Sequence, residues 1–150
     1  IHKSLMDHKR FFFTIYATAS NIWCYYFNKS SKEHEDVCLA VEQILSTGEI
    51  AINSVVVMEV AHYLFRQTPL YAEVFLDTFL SYPFHFFELD IKTVHHAIQI
   101  LHQYSSFGIG GRDATIIASM EVFQIKYLMT NDKAFQHVKS IEVINPVQNR

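Results

Sequence analysis

The sequence predicts an α/β protein: a three-layer α/β/α sandwich with a short central parallel sheet. Three observations point there. Short apolar runs rich in β-branched and aromatic residues, such as FFFTIYA (11–17) and HFFEL (85–89), alternate with segments of helical periodicity. Those segments run to about ten residues or more, the length a right-handed crossover between parallel strands requires. Acidic residues also recur just beyond the ends of strands, the edge of a parallel sheet where chemistry is usually placed.

The elements follow in order. The first strand is residues 11–17, and a short helix starts near Asn21. A second helix covers about 32–47, with Val37, Ala40, Val41 and Ile44 at helical spacing and Gly48 at the C-cap position. A strand over 49–53 precedes a helix that Ser54 is placed to cap. That helix carries Val57, Val60, Ala61, Leu64 and Phe65 on one broad face. Pro69 opens a further helix, to about Leu80. HFFEL is a strand, and Asp90 caps the helix IKTVHHAIQILHQY. GIGG is a loop, 112–123 a helix, KYLMT a strand and 132–137 a helical turn. IEVI is the last strand, stopped by Pro146.

At 150 residues the chain is expected to form a single domain, 1–150, large enough to bury a core. Half the residues are hydrophobic, which excludes a disordered chain. A net charge of −3 argues against a general polycation but leaves room for a local basic patch on a polyanion. Cys24 and Cys38 form no CxxC pair, so free thiols in a reducing cytoplasm are expected, with a disulfide the alternative. No run approaches the ~18–20 apolar residues of a membrane span. Lys9-Arg10 before FFFTIYA, with Ala17-Thr18-Ala19 beyond, imitates a signal peptide. The apolar stretch is short and broken by Thr14.

Three carboxylates stand out. Glu59, in VVVMEVA, lies on the second turn of a helix after a strand and is costly to bury unless paired or metal-bound; a solvent-facing glutamate is the simpler alternative. Asp113 follows GIGG at a helix start, where capping alone explains an aspartate. Asp132 follows the strand KYLMT and is equally placed to cap the next turn. Together they carry more weight, because parallel strands present all these positions on one rim. Carboxylates converging without basic partners repel, and a divalent cation between them relieves this. An oxygen-only set favours Mg²⁺ or Mn²⁺, which activates water and neutralises a phosphodiester.

Asn53-Ser-Val-Val-Val-Met-Glu59, Arg112-Asp-Ala-Thr-Ile-Ile-Ala-Ser119 and Leu128-Met-Thr-Asn-Asp-Lys-Ala-Phe135 resemble the three downstream motifs of PIN domains. The nearest subset is the VapC-type toxins of prokaryotic toxin–antitoxin pairs. The resemblance spans about 11–144. It implies a metal-dependent ribonuclease with an α/β/α fold, an RNA substrate and an antitoxin partner. It also implies that Glu59, Asp113 and Asp132 ligate the metal, supported by Thr130 and Asn131. The family's first motif is a strand, then Asp-x-Asn or Asp-x-Ser, then an apolar helix. Here Ala19-Ser20-Asn21 occupies that place. Asn21 is kept as a catalytic candidate, but the first aspartate is Ala19, either by substitution or by natural degeneracy. The expectation is an inactive or weakened nuclease, with a degenerate module that binds RNA or antitoxin as the alternative.

Arg112 and Lys133, with Lys29 and Arg66, are candidate RNA phosphate contacts; scattered solvated charges are the plainer reading. Glu59-x-x-His62 has the spacing of half a di-iron site but finds no second copy. His95, His96 and His102 share a helix and are expected to be surface residues. Thirteen phenylalanines and eight tyrosines are many for this length. TPLYAEVFLDTFLSYPFHFF (68–87) is therefore a candidate homodimer or antitoxin surface as well as core.

Overall fold

The structure, a computed structural model, describes residues 14–148. Five strands, β1 (Ile15–Thr18), β2 (Glu49–Asn53), β3 (His85–Phe87), β4 (Tyr127–Met129) and β5 (Glu142–Ile144), form one sheet in the order β3-β2-β1-β4-β5. Every neighbouring pair is parallel, with Ala17 opposite both Ala51 and Leu128. The three-layer α/β/α expectation therefore holds. Residues 11–13 of the expected first strand lie outside the described residues.

Six α-helices connect the strands: α1 (Ser20–Phe27), α2 (His34–Thr47), α3 (Ser54–Gln67), α4 (Ala72–Ser81), α5 (Ile91–Tyr104) and α6 (Gly111–Phe123). Helix α1 packs on α2 and α3, and α3 on α4, whereas α5 packs chiefly on α6. The chain winds one way from β1 to β3 and the other from β4 to β5. Right-handed crossovers then put the two helix sets on opposite faces. The winding reverses between β1 and β4. That crevice is where an open parallel sheet admits a ligand.

Local chemistry explains most boundaries and corrects three. Asp90 caps α5 by accepting the Thr93 N–H at 2.8 Å. Helix α3 is capped by Asn53, whose side chain accepts the Val56 N–H at 3.0 Å, and not by Ser54, which is already inside the helix. Asn53 wins because the last residue of β2 is still extended (φ −106°, ψ 172°), as an N-cap must be. Gly48 does end α2, but with extended backbone rather than a left-handed cap. A Cβ there would stand 2.6 Å from the Thr14 carbonyl oxygen, so close approach to the start of β1 requires the glycine. Pro69 sits in the turn before α4, which begins at Ala72.

The core follows from the apolar stripes. Trp23 is fully buried, with its ring centroid 5.0 Å from Phe79, 5.2 Å from Phe84 and 5.9 Å from Tyr82. Val56, Val60 and Leu64 carry α3 into the same core, while Phe65 of the expected apolar face is half exposed. The 68–87 segment therefore divides. Phe79, Tyr82 and Phe84 pack around Trp23, and Leu70, Tyr71, Val74 and Leu80 stay exposed. Burying a ring of this size is worth on the order of 2–3 kcal/mol, enough to claim the inward half of the segment for folding.

Candidate active site

The central strand sets the site. Thr18 ends β1 and is buried, its hydroxyl accepting the Trp23 indole N–H at 2.8 Å. This fixes the start of α1 against the sheet. Ala19 follows, buried, and its N–H donates to the Met129 carbonyl at 3.1 Å. Ala19 therefore lies at the β1/β4 crevice, the topological switch point.

Around it stand the sequence candidates. Asn21, one residue into α1, donates from Nδ2 to Thr130 Oγ1 at 3.2 Å. Thr130 is fully buried beyond β4, and its hydroxyl also accepts the Asp132 N–H at 3.1 Å. The Asn21 Oδ1 is buried without a hydrogen-bond partner, an oxygen acceptor left open at the crevice. Asn131 reaches Tyr25 Oη at 3.4 Å. The first and last motifs are thus stitched together by their amides and hydroxyls.

The three acids differ in setting. Glu59 on α3 is half-buried. Its Oε2 lies 3.2 Å from Arg112 Nη1, and the Ser20 hydroxyl bonds its side chain. Burial pushes its pKa up, Arg112 pulls against this, and Asp113 adds to the rise. Asp113, in the first turn of α6, accepts the Gly110 N–H at 3.1 Å and so does cap its helix. Burial raises its pKa too, the Gly110 bond opposes, and the Asp132 charge raises it further. Asp132 is exposed, and its carboxylate accepts the Ala134 N–H at 2.9 Å at the start of the 3₁₀ turn Lys133–His137.

Asp113 therefore lies within electrostatic reach of both Glu59 and Asp132. Yet among the described residues no group of three His, Cys, Asp or Glu side chains stands together so as to hold a metal ion. As they stand, the side chains do not fit a divalent cation. A methyl group occupies the position of the central strand, Arg112 holds Glu59, and Asp132 turns to a backbone N–H.

Of the basic candidates, Arg112 pairs with Glu59. Arg66 lines a cavity of about 770 Å³ beside Glu59, together with His62. Lys133 lines a separate, polar cavity with Asn131 and Asp132. His96 instead bonds Glu121, tying α5 to α6. Both cysteines are free, and burial pushes Cys24, at the wall of the Glu59 cavity, up to about 12. Sequence reasoning assigned no role to Ser20 or to the buried amide of Asn53, which reaches Thr115 and Ser119. Their types carry no distinguishing signal, since serine and asparagine are ordinary at helix starts.

The PIN domain family matches residues 20–141 of this chain. No curated protein matches it. Among solved structures the fold is similar to VapBC2 of Rickettsia felis bound to a promoter DNA fragment (22% identity, TM-score 0.71, 88% of this chain and 98% of that one). It is likewise similar to Mycobacterium tuberculosis VapC20, described as a sarcin–ricin loop cleaving toxin (19% identity, TM-score 0.74, 85% and 98%). A toxin–antitoxin complex from Klebsiella pneumoniae matches at 19% identity and TM-score 0.69, over 89% and 98%. The chain belongs to the PIN domain family.

Proposed function

We propose that this PIN domain is a VapC-type ribonuclease, the toxin of a toxin–antitoxin pair, whose site is interrupted at Ala19. The reading is carried by Asp113, in electrostatic reach of both Glu59 and Asp132, together with a buried alanine at the switch point. With an aspartate at position 19 these acids would make the oxygen-ligand set that phosphodiester hydrolysis with Mg²⁺ or Mn²⁺ asks for; as the chain stands they fall short of it. Glu59, Asp113, Asp132 and Asn21 are its assigned site residues, with Thr130 and Asn131 holding the last motif in place. The similar structures include a promoter-bound VapBC2, a toxin–antitoxin complex and a sarcin–ricin loop cleaving toxin, which supports an RNA substrate and an antitoxin partner. The exposed apolar face of α4 is assigned to a homodimer. No described helix is long and apolar enough to cross a membrane, in keeping with a cytoplasmic site of action.

Metal-dependent cleavage is assigned to the chain with the acid restored. In an RNA cleavage assay, Ala19→Asp should cut with Mn²⁺ or Mg²⁺ and stop with EDTA, while the Ala19 chain stays at background. Both forms folded and neither cutting a broad set of RNAs would sink the nuclease reading. A second reading then leads: a PIN domain that binds RNA or antitoxin without catalysis. The Arg112–Glu59 ion pair favours it, because it satisfies Glu59 without any metal.

A further inference from the structure

We propose that the cavity between α1 and α3 is a subsite for one nucleotide of single-stranded RNA. Its base would lie on the apolar wall, and its phosphate on Arg66 and Arg112. The inference rests on the ribonuclease reading above and names where the substrate is held. At about 770 Å³ the cavity falls within the ~300–1,000 Å³ of small-molecule sites. Val55, Met58 and Tyr63 give it an apolar wall. Met58 is 68% exposed, although Val56, Val60 and Leu64 of the same helix are buried.

Charge decides the occupant. The chain has four arginines, and Arg10 and Arg150 lie outside the described residues. Both of the others line this one cavity, in a chain of net charge −3. Arg66 is exposed and has no ion-pair partner among the described residues. Arg112 is 72% exposed and already neutralises Glu59, the only acid among the described residues lining the cavity. A purely apolar protein segment has no use for two arginines in the lining of its cavity. A splayed-out nucleotide uses both features, since unpaired bases pack on apolar and aromatic side chains while arginine takes the phosphate. Arg112 precedes Asp113 and touches Glu59, so a phosphate held there is delivered beside the acids.

The test measures binding and not cleavage, so Ala19 does not interfere. Fluorescein-labelled single-stranded octaribonucleotides are titrated with the intact chain by anisotropy across a NaCl series. Arg66→Ala should weaken binding and lower the slope of log affinity against log salt by about 0.7, the value for one lost phosphate contact on a single strand. Met58→Glu, at an exposed position that folding does not need, should weaken binding roughly tenfold, the scale of one base contact. The native chain binding RNA, with affinity and slope unchanged in both variants, would overturn the subsite. A lowered sedimentation mass with unchanged RNA affinity would also overturn it, by giving the cavity to a second copy of the chain. If the native chain binds no RNA and Ala19→Asp does not cleave, the ribonuclease reading falls along with the subsite. If Ala19→Asp cleaves while Arg66→Ala binds as the native chain does, only the subsite falls.

Discussion

The two flanks of Asp113 hold their carboxylates in different ways. On the α3 flank, Glu59 has a side chain only 20% exposed, with Arg112 and the Ser20 hydroxyl as partners and an apolar cavity beside it. On the β4 flank, Asp132 is exposed, bonds a backbone N–H and faces a polar cavity that also holds Lys133. Residue type is nearly the same, and so is the place relative to a strand end. Environment separates them. Burial makes the charge of Glu59 expensive and forces a counter-ion on it, whereas water carries the charge of Asp132. The flank with the buried acid is the one that needs support from elsewhere in the fold, and Arg112 of α6 and Ser20 of α1 supply it.

That contrast can be broken at several points. The largest effect is expected from Ala19→Asp, which adds a carboxylate between the flanks. Cleavage should rise at least on the order of 100-fold above background, the upper range for losing even an outer partner of a metal site. Next is Trp23→Phe. It keeps most of the ring packing but strips the Thr18 hydroxyl of its indole donor. A buried group left unpaired costs about 1–3 kcal/mol, which urea denaturation would read as a lowered midpoint at constant slope. A loss under ~0.3 kcal/mol would show that the bond does not anchor the end of β1.

The smallest effects are expected at Asp113 itself and at the exposed Asp132. Asp113→Asn removes a half-buried charge that Asp132 disfavours, and the amide oxygen still accepts the Gly110 N–H. It should stabilise the fold at neutral pH by roughly 0.5 kcal/mol once solvent screening is counted. Asp132→Asn, exposed and still able to cap, should change stability by less than ~0.5 kcal/mol. The pH dependence follows from the direction of the shifts. Glu59 and Asp113 have folded-state pKa values above their ordinary ones, so the folded chain holds these protons more tightly than the unfolded chain. Stability from these groups therefore falls as pH rises from the ordinary carboxylate range through the raised values. The advantage of Asp113→Asn should grow across that window and vanish below it. Denaturation of both chains between pH 4 and 7 checks this, and an advantage independent of pH would rule it out.

Much of this was legible in the sequence because the signals are local. Strand β2 and helix α5 fall within the expected bounds, since alternation, a cap and a helical stripe act over a few residues. The order of Ala19, Glu59, Asp113 and Asp132 relative to the strands was also readable along the chain. The Asn53 cap was less so, because Asn53 and Ser54 are equally fit to cap and only the backbone angle at the strand end chooses between them. The division of the 68–87 aromatics into core and surface was not readable, because it depends on where Trp23 arrives from another helix.

By itself the sequence determined the parallel α/β fold and set Glu59, Asp113 and Asp132 just beyond strands or at helix starts. Tertiary structure alone decided which of those acids meet. It placed Ala19 against Met129, Asn21 on Thr130 and Arg112 on Glu59, pairs separated by 53 to 110 positions in the sequence. Periodicity and capping set the path of the chain over a turn or two. The distance between groups so far apart is set by strand order, crossover hand and the packing of the helices that carry them.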